Sequence, residues 1–288
     1  MSEPLGSPCR SFPAFPLLAL AALLLLGFLV TASVSAVASG SVITDPCGGS
    51  GELLSVFDAS SCVIELGQVL LEDGLQENFT GGEGVKSLLF SYPQTVIRIG
   101  IPEGGEIKLF PPSYNILEYP GSGASAVSGY GDSGIGFKHE FGYTDKTISA
   151  ADVIVTFPSG TGGFQNYGTD VTVNAMLTYA VTEKLSVLSY LGMSSLTGMD
   201  NGGMVHRFFS FNPDMVFSYQ PAGDFSAYAE IKRNAQGGVG FSGNYWADLG
   251  IQFLPVSKFL VQFEYGLFLD PPAGNSAHYI EFETGILF

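Results

Sequence analysis

The chain ends on a segment whose side chains alternate strictly between two faces. Ile280, Phe282, Thr284, Ile286 and Phe288 fall on one face, and Tyr279, Glu281, Glu283 and Gly285 fall on the other. Because successive side chains of a β-strand point to opposite sides of its sheet, this period of two predicts a strand with one apolar and one charged face. The pattern recurs about a dozen times, in segments near the roughly ten residues that a tilted strand needs to cross a bilayer.

Twelve segments carry this alternation. They are residues 63–76, 88–100, 105–110, 132–142, 147–157, 169–181, 184–193, 204–219, 224–233, 244–254, 258–268 and 278–288. Short connections such as Gln220-Pro221-Ala222-Gly223, rich in turn-forming residues, alternate with long ones, of which Pro111–Gly131 is the longest. Membrane barrels show this asymmetry, and an even strand number brings both termini to one side. The sequence therefore predicts an all-β fold, a transmembrane antiparallel up-and-down β-barrel of about 12 strands.

Composition agrees with dispersed apolar strands. Hydrophobic residues make up 46% of the chain and charged residues 13%, yet no apolar run beyond residue 40 is long enough for a membrane-spanning helix. The 38 glycines, 23 phenylalanines and 13 tyrosines suit the turns and aromatic girdles of a membrane barrel. The net charge of -16 argues against nucleic acid as a partner, because a polyanion needs a basic surface.

The first 38 residues have the pattern of a secretory signal peptide. Arg10 supplies a weak positive region, Leu17–Val30 an apolar core, and Ala36-Val37-Ala38 a small-residue cleavage motif. The alternative is a permanent anchor, for which Leu17–Val30 is short compared with the roughly twenty residues of a spanning helix. We expect a cleaved signal peptide at 1–38, a periplasmic extension at 39–62, and a barrel in the bacterial outer membrane at 63–288.

Two cysteines remain after cleavage. Cys47 and Cys62 flank a stretch rich in glycine and serine, and an oxidising compartment would let them form a disulfide. Two unpaired thiols are the alternative, because a sequence does not give the distance between two residues. Residues 39–62 form either a loose periplasmic tether or a plug that enters the barrel from below; the tether is favoured, since chain termini are usually loosely held.

The polar face of the predicted strands supplies candidate residues for the barrel lumen, because a charge facing lipid at mid-bilayer costs roughly 2–4 kcal/mol. They are Arg98, Glu106, Lys108, Asp132, Lys138, Glu140, Asp152, Asp170, Asn174, Glu230, Lys232, Asp248, Glu264, Glu281 and Glu283. Acids outnumber bases, which favours a mild preference for cations or the passage of neutral solutes. The alternative is a closed barrel whose charges are salt-bridged filler.

The long connection Pro111–Gly131 is the candidate constriction loop. Its apolar and aromatic residues are Tyr114, Ile116, Leu117 and Tyr119, which would either fold into the lumen or contact lipopolysaccharide outside. Two residues fit the strand pattern poorly. Pro213 removes a ladder donor from the middle of a predicted strand, and His139 falls on the outward face.

Enzyme chemistry finds little support. No histidine is followed two residues later by the serine that a barrel hydrolase would place on the same strand face, so we assign no catalytic residues. A water-activating site built from His206, His278, Asp200 and Asp270 is the remaining enzymatic alternative. No cluster has metal-ligand spacing, and we expect no metal and no cofactor.

Three motifs resemble those of a bacterial outer-membrane family. Gln94–Leu109 resembles its TxxRxG, short-turn, ExxL hairpin; Gly129–Lys138 resembles its GxGDxxxGxK strand; and Phe157-Pro158-Ser159-Gly160 resembles its LPTG motif, with Phe157 and Ser159 where Leu and Thr are usual. The family is the transporter family named for the MetA pathway of phenol degradation. The resemblance implies a passive outer-membrane channel for small solutes, aromatic or apolar compounds among them, in contact with outer-membrane lipid and lipopolysaccharide.

The final residue, Phe288, with apolar residues at alternate preceding positions, resembles the sorting signal that the barrel-assembly machinery reads. An ordinary last strand would have the same pattern.

Overall fold

The structure is a computed structural model that describes residues 47, 57, 60–82, 85–200, 202–234, 244–271 and 275–288. The predicted signal peptide and most of the predicted extension lie outside these residues. Within them, no helix is long and apolar enough to cross a bilayer. The strands are β1 (Val69–Gly82), β2 (Val85–Ile101), β3 (Gly105–Phe110), β4 (Tyr114–Glu118), β5 (Val127–Tyr130), β6 (Ser133–Tyr143), β7 (Thr147–Phe157), β8 (Asp170–Ala180), β9 (Leu185–Met199), β10 (Val205–Ala222), β11 (Phe225–Asn234), β12 (Asn244–Val256), β13 (Phe259–Phe268) and β14 (Ser276–Leu287).

The strands form one antiparallel sheet that closes on itself. β1 pairs with β14 on one side and with β2 on the other, so the first and last strands complete the ring. β3 and β4 lie end to end along β2, β3 against residues 97–101 and β4 against residues 88–92. β4 and β5 therefore extend the wall as a hairpin, and the ring itself has the predicted twelve strands. Closure gives the backbone N–H and carbonyl groups of the edge strands hydrogen-bond partners, which lipid cannot provide.

Several strand boundaries correct the sequence prediction; β9, for example, ends at Met199 and not at residue 193. β1 runs over residues 69–82 instead of 63–76, because its second half pairs with both β14 and β2. The long connection expected between the first two predicted strands, 63–76 and 88–100, is reduced to residues 83–84. Nine of the 21 residues of the predicted loop Pro111–Gly131 belong to β4 and β5; between β3 and β4 the wall breaks at Pro111–Ser113, where two prolines offer no backbone donor.

The connections distinguish the two ends of the barrel. One end, called here the turn end, has the short connections 102–104, 144–146, 181–184, 223–224 and 257–258, together with the start of β1 and the end of β14. The other, the loop end, has connections 119–126, 158–169, 200–204, 235–243 and 269–275 and the short connection 83–84. In outer-membrane-type β-barrels, the end with short turns faces the periplasm.

The outer face of the wall is apolar. Phe137, Leu177, Phe217, Leu249 and Phe263 come from five different strands and are 41% to 64% exposed. This is the surface that a bilayer covers. Among the described strands, outward carboxylates lie on β1 and β4: Asp73 accepts a hydrogen bond from Thr95 Oγ1 at 2.8 Å, and Glu77 and Glu118 are exposed.

The two residues that fitted the pattern poorly are both accommodated in strands. Pro213 pairs with Leu191 of β9, and the pairing of β10 with β11 ends at Asp214, so the residue without a donor lies just outside the β10–β11 ladder. His139 is half-buried on the outer face of β6, where its ring contacts those of Phe137 and Phe141 with centroids 6.5 and 5.1 Å apart.

Leu249 tests the assignment of the outer face. We expect Leu249→Arg to lower the free energy of unfolding in lipid bilayers by about 2–4 kcal/mol, because the guanidinium would face hydrocarbon near the middle of β12. Leu269→Arg is the matched control: Leu269 is 53% exposed but follows the end of β13. Denaturant titration in vesicles measures both; equal effects would show that Leu249 does not face lipid.

Candidate channel lumen

The turn end of the barrel contains the segment that precedes β1. We call Phe57 and Ser60–Glu65 the plug segment. Phe57 and Ile64 are 3% and 1% exposed, and they pack with a ring of inward wall residues, Leu70, Ile148, Leu254, Leu260 and Leu287. All five lie close to the turn end of their strands. The plug segment is thus the apolar core of this end of the barrel.

Glycines in the wall give the plug segment room. A Cβ atom added to Gly100 of β2 would lie 2.0 Å from the carbonyl oxygen of Glu65, and one added to Gly285 of β14 would lie 2.6 Å from the Phe57 ring. A backbone oxygen cannot move aside as a flexible side chain does. Gly100 is therefore needed for close approach of the two backbones.

Polar wall residues hold the backbone of the plug segment. Glu106 Oε2 accepts a hydrogen bond from the N–H of Ile64 at 3.1 Å, and Lys138 Nζ donates to the carbonyl of Cys62. Glu106 and Lys138 are direct partners in the pairing of β3 with β6. Two neighbouring wall residues of opposite charge thus bind a backbone donor and a backbone acceptor two residues apart.

These contacts correct the expectation of a loose tether. Phe57, residues 60–62 and Ile64 are buried inside the barrel because the segment carries apolar side chains that fill its turn end. The predicted disulfide between Cys47 and Cys62 is confirmed, and both half-cystines are buried, at 5% and 4% exposure. The disulfide therefore fixes Cys47, a further residue of the predicted extension, to the plug segment.

The first of two interior charge clusters lies beside the plug segment. We define the Arg98 cluster as Glu72, Arg98, Glu106, Lys108, Lys138 and Asp152. Arg98 binds Glu106 through Nε at 2.7 Å and Nη2 at 2.8 Å, and binds Glu72 through Nη1 at 2.9 Å. Lys108 binds Asp152 at 3.1 Å, and Asn174 donates to the same carboxylate at 2.6 Å. Three cations face three carboxylates, so this cluster is balanced in charge.

The second cluster lies on β10 to β14. We define the Lys232 cluster as Asp214, Glu230, Lys232, Asp248 and Glu264, with the hydroxyl groups of Tyr228 and Tyr279. Lys232 Nζ lies 2.8 Å from Asp248, 3.6 Å from Glu230 and 3.7 Å from Glu264. Both tyrosine hydroxyls donate to Glu264. Three carboxylates contact one ammonium group, and Asp214, the strand partner of Lys232, is hydrogen-bonded to Glu230.

Three carboxylates of the Lys232 cluster also have the spacing of a metal site. One oxygen from each of Glu230, Asp248 and Glu264 lies within 4.8 Å of the others. The Lys232 ammonium, however, already contacts all three. The cluster therefore has the chemistry of a cation site in which a lysine supplies the cation.

A cavity of about 300 Å³ runs beside the plug segment. Phe57, Ser60 and Cys62 form one side of the cavity, and inward residues of β7 to β12 form the other. It reaches the turn end at Thr182–Lys184, and its lining also includes Tyr228 and Glu230 of the second cluster. The plug segment therefore leaves part of the turn end open.

The remaining predicted lumen residues take three kinds of position. Glu281 and Glu283 lie on the inner face of β14 and accept hydrogen bonds from Gln76 at 2.8 Å and Gln262 at 3.0 Å. Glu140 lies near the plug, with Oε2 3.7 Å from Cys47 Sγ. Asp170, at the start of β8, accepts from the N–H of Thr197 at 2.8 Å.

Asp132, another predicted lumen residue, binds the backbone of a long connection. It lies between β5 and β6 towards the loop end, and its carboxylate accepts hydrogen bonds from the N–H groups of Gly160 and Asn166, both at 2.7 Å. Its role in the structure is to hold the connection 158–169, because a side-chain acceptor satisfies backbone donors that this loop would otherwise leave free.

The predicted constriction residues lie in the wall. Tyr114, Ile116 and Leu117 are in β4, which pairs with β2 and β5, and Tyr119 follows it. Leu117 shares the inward face with Asn115, which accepts a hydrogen bond from Ser91 at 2.7 Å, whereas Tyr114 and Ile116 point outward. A segment with ladder partners on both sides does not fold across the lumen, which corrects the loop prediction.

The histidines do not form the alternative catalytic site. His206 Nε2 lies 2.8 Å from Asp200 Oδ2, and Asp200 Oδ1 also accepts from the N–H groups of Gly202 and Met204. The Met204 N–H and the His206 ring lower the pKa of the Asp200 carboxyl group. His278, in contrast, contacts Phe79 on the outer face, with ring centroids 4.9 Å apart. Asp200 therefore organises the connection between β9 and β10.

Sequence reasoning missed several interior residues. Glu72, Asp214 and Tyr228 face inward and take part in the two clusters, and Tyr279, which alternation placed on the charged face, was not predicted to bind Glu264. The period of two would have placed each of them, but tyrosines suggest an interface girdle and Asp214 follows a proline. Nothing in the sequence indicates that Ser61 and Ile64 enter the barrel.

Comparison with solved structures supports the fold. The structure is similar to an outer membrane channel from Pseudomonas putida F1, with a TM-score of 0.65 and 12% identity over 81% of this chain and 100% of that one. Lower TM-scores relate it to the translocator domain of the autotransporter NalP from Neisseria meningitidis (0.49, 10% identity, 92% and 97% covered) and to the NanC porin (0.48, 11% identity, 74% and 98% covered). No protein-family model and no curated protein matches the sequence.

The wall and its contents define the class of protein. A closed twelve-stranded antiparallel sheet with an apolar outer face and a polar inner face is an outer-membrane β-barrel. At 12% identity the similarity to the Pseudomonas channel shows the shared fold.

Arg98 tests the energetic role of the first cluster. We expect Arg98→Met to destabilise the folded barrel by about 3–5 kcal/mol, because it leaves the buried carboxylates of Glu72 and Glu106 without their cation. Lys146→Met, in an exposed turn, is the control and should change the free energy of unfolding little. Reversible unfolding in vesicles measures both, and a near-neutral Arg98→Met would show that the cluster is water-filled.

Gly100 tests the position of the plug segment. We expect Gly100→Ala to loosen it and to speed reduction of the buried Cys47–Cys62 disulfide by glutathione roughly tenfold, because about 1.4 kcal/mol of local destabilisation gives that factor. Gly223→Ala, whose Cβ would meet nothing within 4 Å, should leave the rate unchanged. Identical rates for both variants would contradict the close approach of residues 64 and 65 to β2.

Proposed function

We propose that the protein is a passive channel of the bacterial outer membrane that admits small solutes through a narrow, partly plugged lumen. The observation that supports this most is the cavity that passes the plug segment and joins the turn end to the Lys232 cluster. A barrel built only as a scaffold has no need of a polar passage beside its plug. Selectivity in such a pore comes from the side chains that line it.

A filled structural barrel is the second candidate. The Arg98 cluster and the apolar packing of the plug segment support it, since both fill interior space with side chains that are almost fully buried. Small barrels are commonly filled in this way. Conductance separates the two candidates, because a filled barrel passes no ions.

The solutes proposed here are small, with aromatic or apolar parts. Support comes from the motif resemblance to the phenol-degradation transporter family and from inward apolar side chains above the plug, Met176, Leu188, Tyr190 and Val216. We also propose that the protein is not an enzyme, because the three histidines are dispersed between the start of β10 and the outer face. Cleavage of residues 1–38 is part of the same proposal.

Phe288 is proposed as the signal that the barrel-assembly machinery reads. Its side chain is 64% exposed, and its backbone pairs with Val69 at the seam of the ring, with N–H to oxygen at 2.9 Å. An exposed aromatic group at the closing strand is accessible to an assembly factor. Lipid and lipopolysaccharide are the partners proposed for the apolar outer face.

Single-channel conductance tests the channel. We expect the chain from residue 39 to give small discrete steps in planar bilayers, and a chain that begins at Leu66 to give clearly larger steps, because the plug segment is then absent. A chain that begins at Cys47 is the matched control, since it keeps the plug segment and the disulfide. Its steps should equal those of the chain from residue 39.

Absence of conductance would contradict the channel proposal. Folded barrels that stay silent with and without the plug segment would exclude an open pore and leave the filled barrel. Heat-modifiable migration in gels confirms that each chain is folded before it is measured.

A further inference from the structure

The cavity beside the plug segment changes in character along the strands of the wall. Near the turn end it is lined by Ser186 and Ser218, which are direct partners in the pairing of β9 with β10. Two residues farther from the turn end it is lined by Leu188 and Val216, which are also direct partners. The cavity is therefore bordered by hydroxyl groups towards its mouth and by apolar side chains at its inner end.

The apolar side chains continue towards the loop end. Met176 of β8 belongs to the same buried cluster as Leu188 and Val216, and we call these three residues the apolar belt. Beyond the belt the inner face is polar again, since Thr172 Oγ1 lies 2.9 Å from Ser194 Oγ in a hydrogen bond. On β8 to β10 the apolar belt thus separates two polar zones of the inner face.

The plug segment supplies the other side of the same passage. Phe57 lines the cavity on the plug side, whereas Leu188 and Val216 line it on the wall side. A solute that passes between the plug segment and the wall therefore meets apolar side chains on both sides.

Charged side chains along the cavity already have partners or lie at its mouth. Among the described residues of the lining, they are Glu183 and Lys184 in the turn 181–184 and Glu230 beside Val216. Glu230 contacts Lys232 at 3.6 Å and is hydrogen-bonded to Asp214. An ion at the apolar belt would therefore meet a carboxylate that is already bound by other side chains.

We propose that the apolar belt is the selectivity barrier of the channel, which holds back ions and admits uncharged solutes. An ion loses hydration water at an apolar constriction and gains no polar contacts in return, whereas an uncharged solute loses much less. This assignment rests on the proposed channel function and names its class of solute. It replaces the cation preference expected from the excess of lumen acids, because acids bound within clusters do not attract a passing cation strongly.

Single-channel conductance of the chain from residue 39 tests the apolar belt. Val216→Thr keeps the size of the side chain and adds a hydroxyl group. We expect it to raise the conductance about tenfold, the factor that corresponds to a barrier lower by about 1.4 kcal/mol. Val216→Ala removes atoms but stays apolar, so it should raise the conductance less than Val216→Thr does.

Val153→Thr is the matched control, because it makes the same chemical change on the outer face of β7. Val153 is 42% exposed there, and its variant should conduct like wild type. Liposome swelling with arabinose, an uncharged probe, is the second measurement. Val216→Thr should change arabinose uptake much less than it changes the conductance. Heat-modifiable migration in gels shows that each variant is folded.

Two results would overturn the apolar belt. One is equal conductance of wild type and Val216→Thr, and the other is a larger effect of Val216→Ala, which would indicate a purely steric constriction. Both leave the channel proposal intact. Folded variants that neither conduct ions nor take up arabinose would reject the channel itself, so the two proposals fail in different ways.

Discussion

The pairing of β1 with both β14 and β2 is the interaction on which the rest of the structure depends. In hydrocarbon an unpaired backbone N–H or carbonyl costs several kcal/mol. An open sheet of these apolar strands would therefore be unstable in a bilayer. The ring joins residues 70–81 of β1 to residues 276–287 of β14 and residues 69–82 to 85–99 of β2. Once it is closed, alternation sends every second side chain into an enclosed space.

That enclosed space explains the interior chemistry. Charges excluded from lipid must be satisfied by one another, and Arg98 does this with two carboxylates at hydrogen-bond distance. The same wall residues also bind the plug segment, since Glu106 contacts both Arg98 and the backbone of Ile64. Charge compensation and closure of the turn end are therefore physically coupled: the acid that neutralises a wall cation also positions the plug. The Lys232 cluster lacks this balance and borders the cavity.

The period of two predicted most of the wall. The strand at 147–157 and the inward positions of Lys138, Asp152 and Glu264 agree with the structure because each is fixed by local alternation. The alternation pattern predicted strand boundaries wrongly where hydrogen bonds to strands distant in the chain decide the structure. Asn78, Thr80, Gly81 and Gly82 look like a loop, yet they are strand because two neighbours supply hydrogen bonds. Likewise Pro111 suggested a loop, although β4 resumes the wall after it.

The sequence by itself determined that this chain forms amphipathic strands, that they close into a barrel, and which face of each strand carries charge, because a pleated strand and an apolar solvent leave no other arrangement. The tertiary structure alone decided that Phe57 and Ile64 occupy the turn end, that Arg98 lies between Glu72 and Glu106, and that three acids contact Lys232. These contacts join residues far apart in the chain. Their positions depend on register and shear around the ring, which no local pattern encodes.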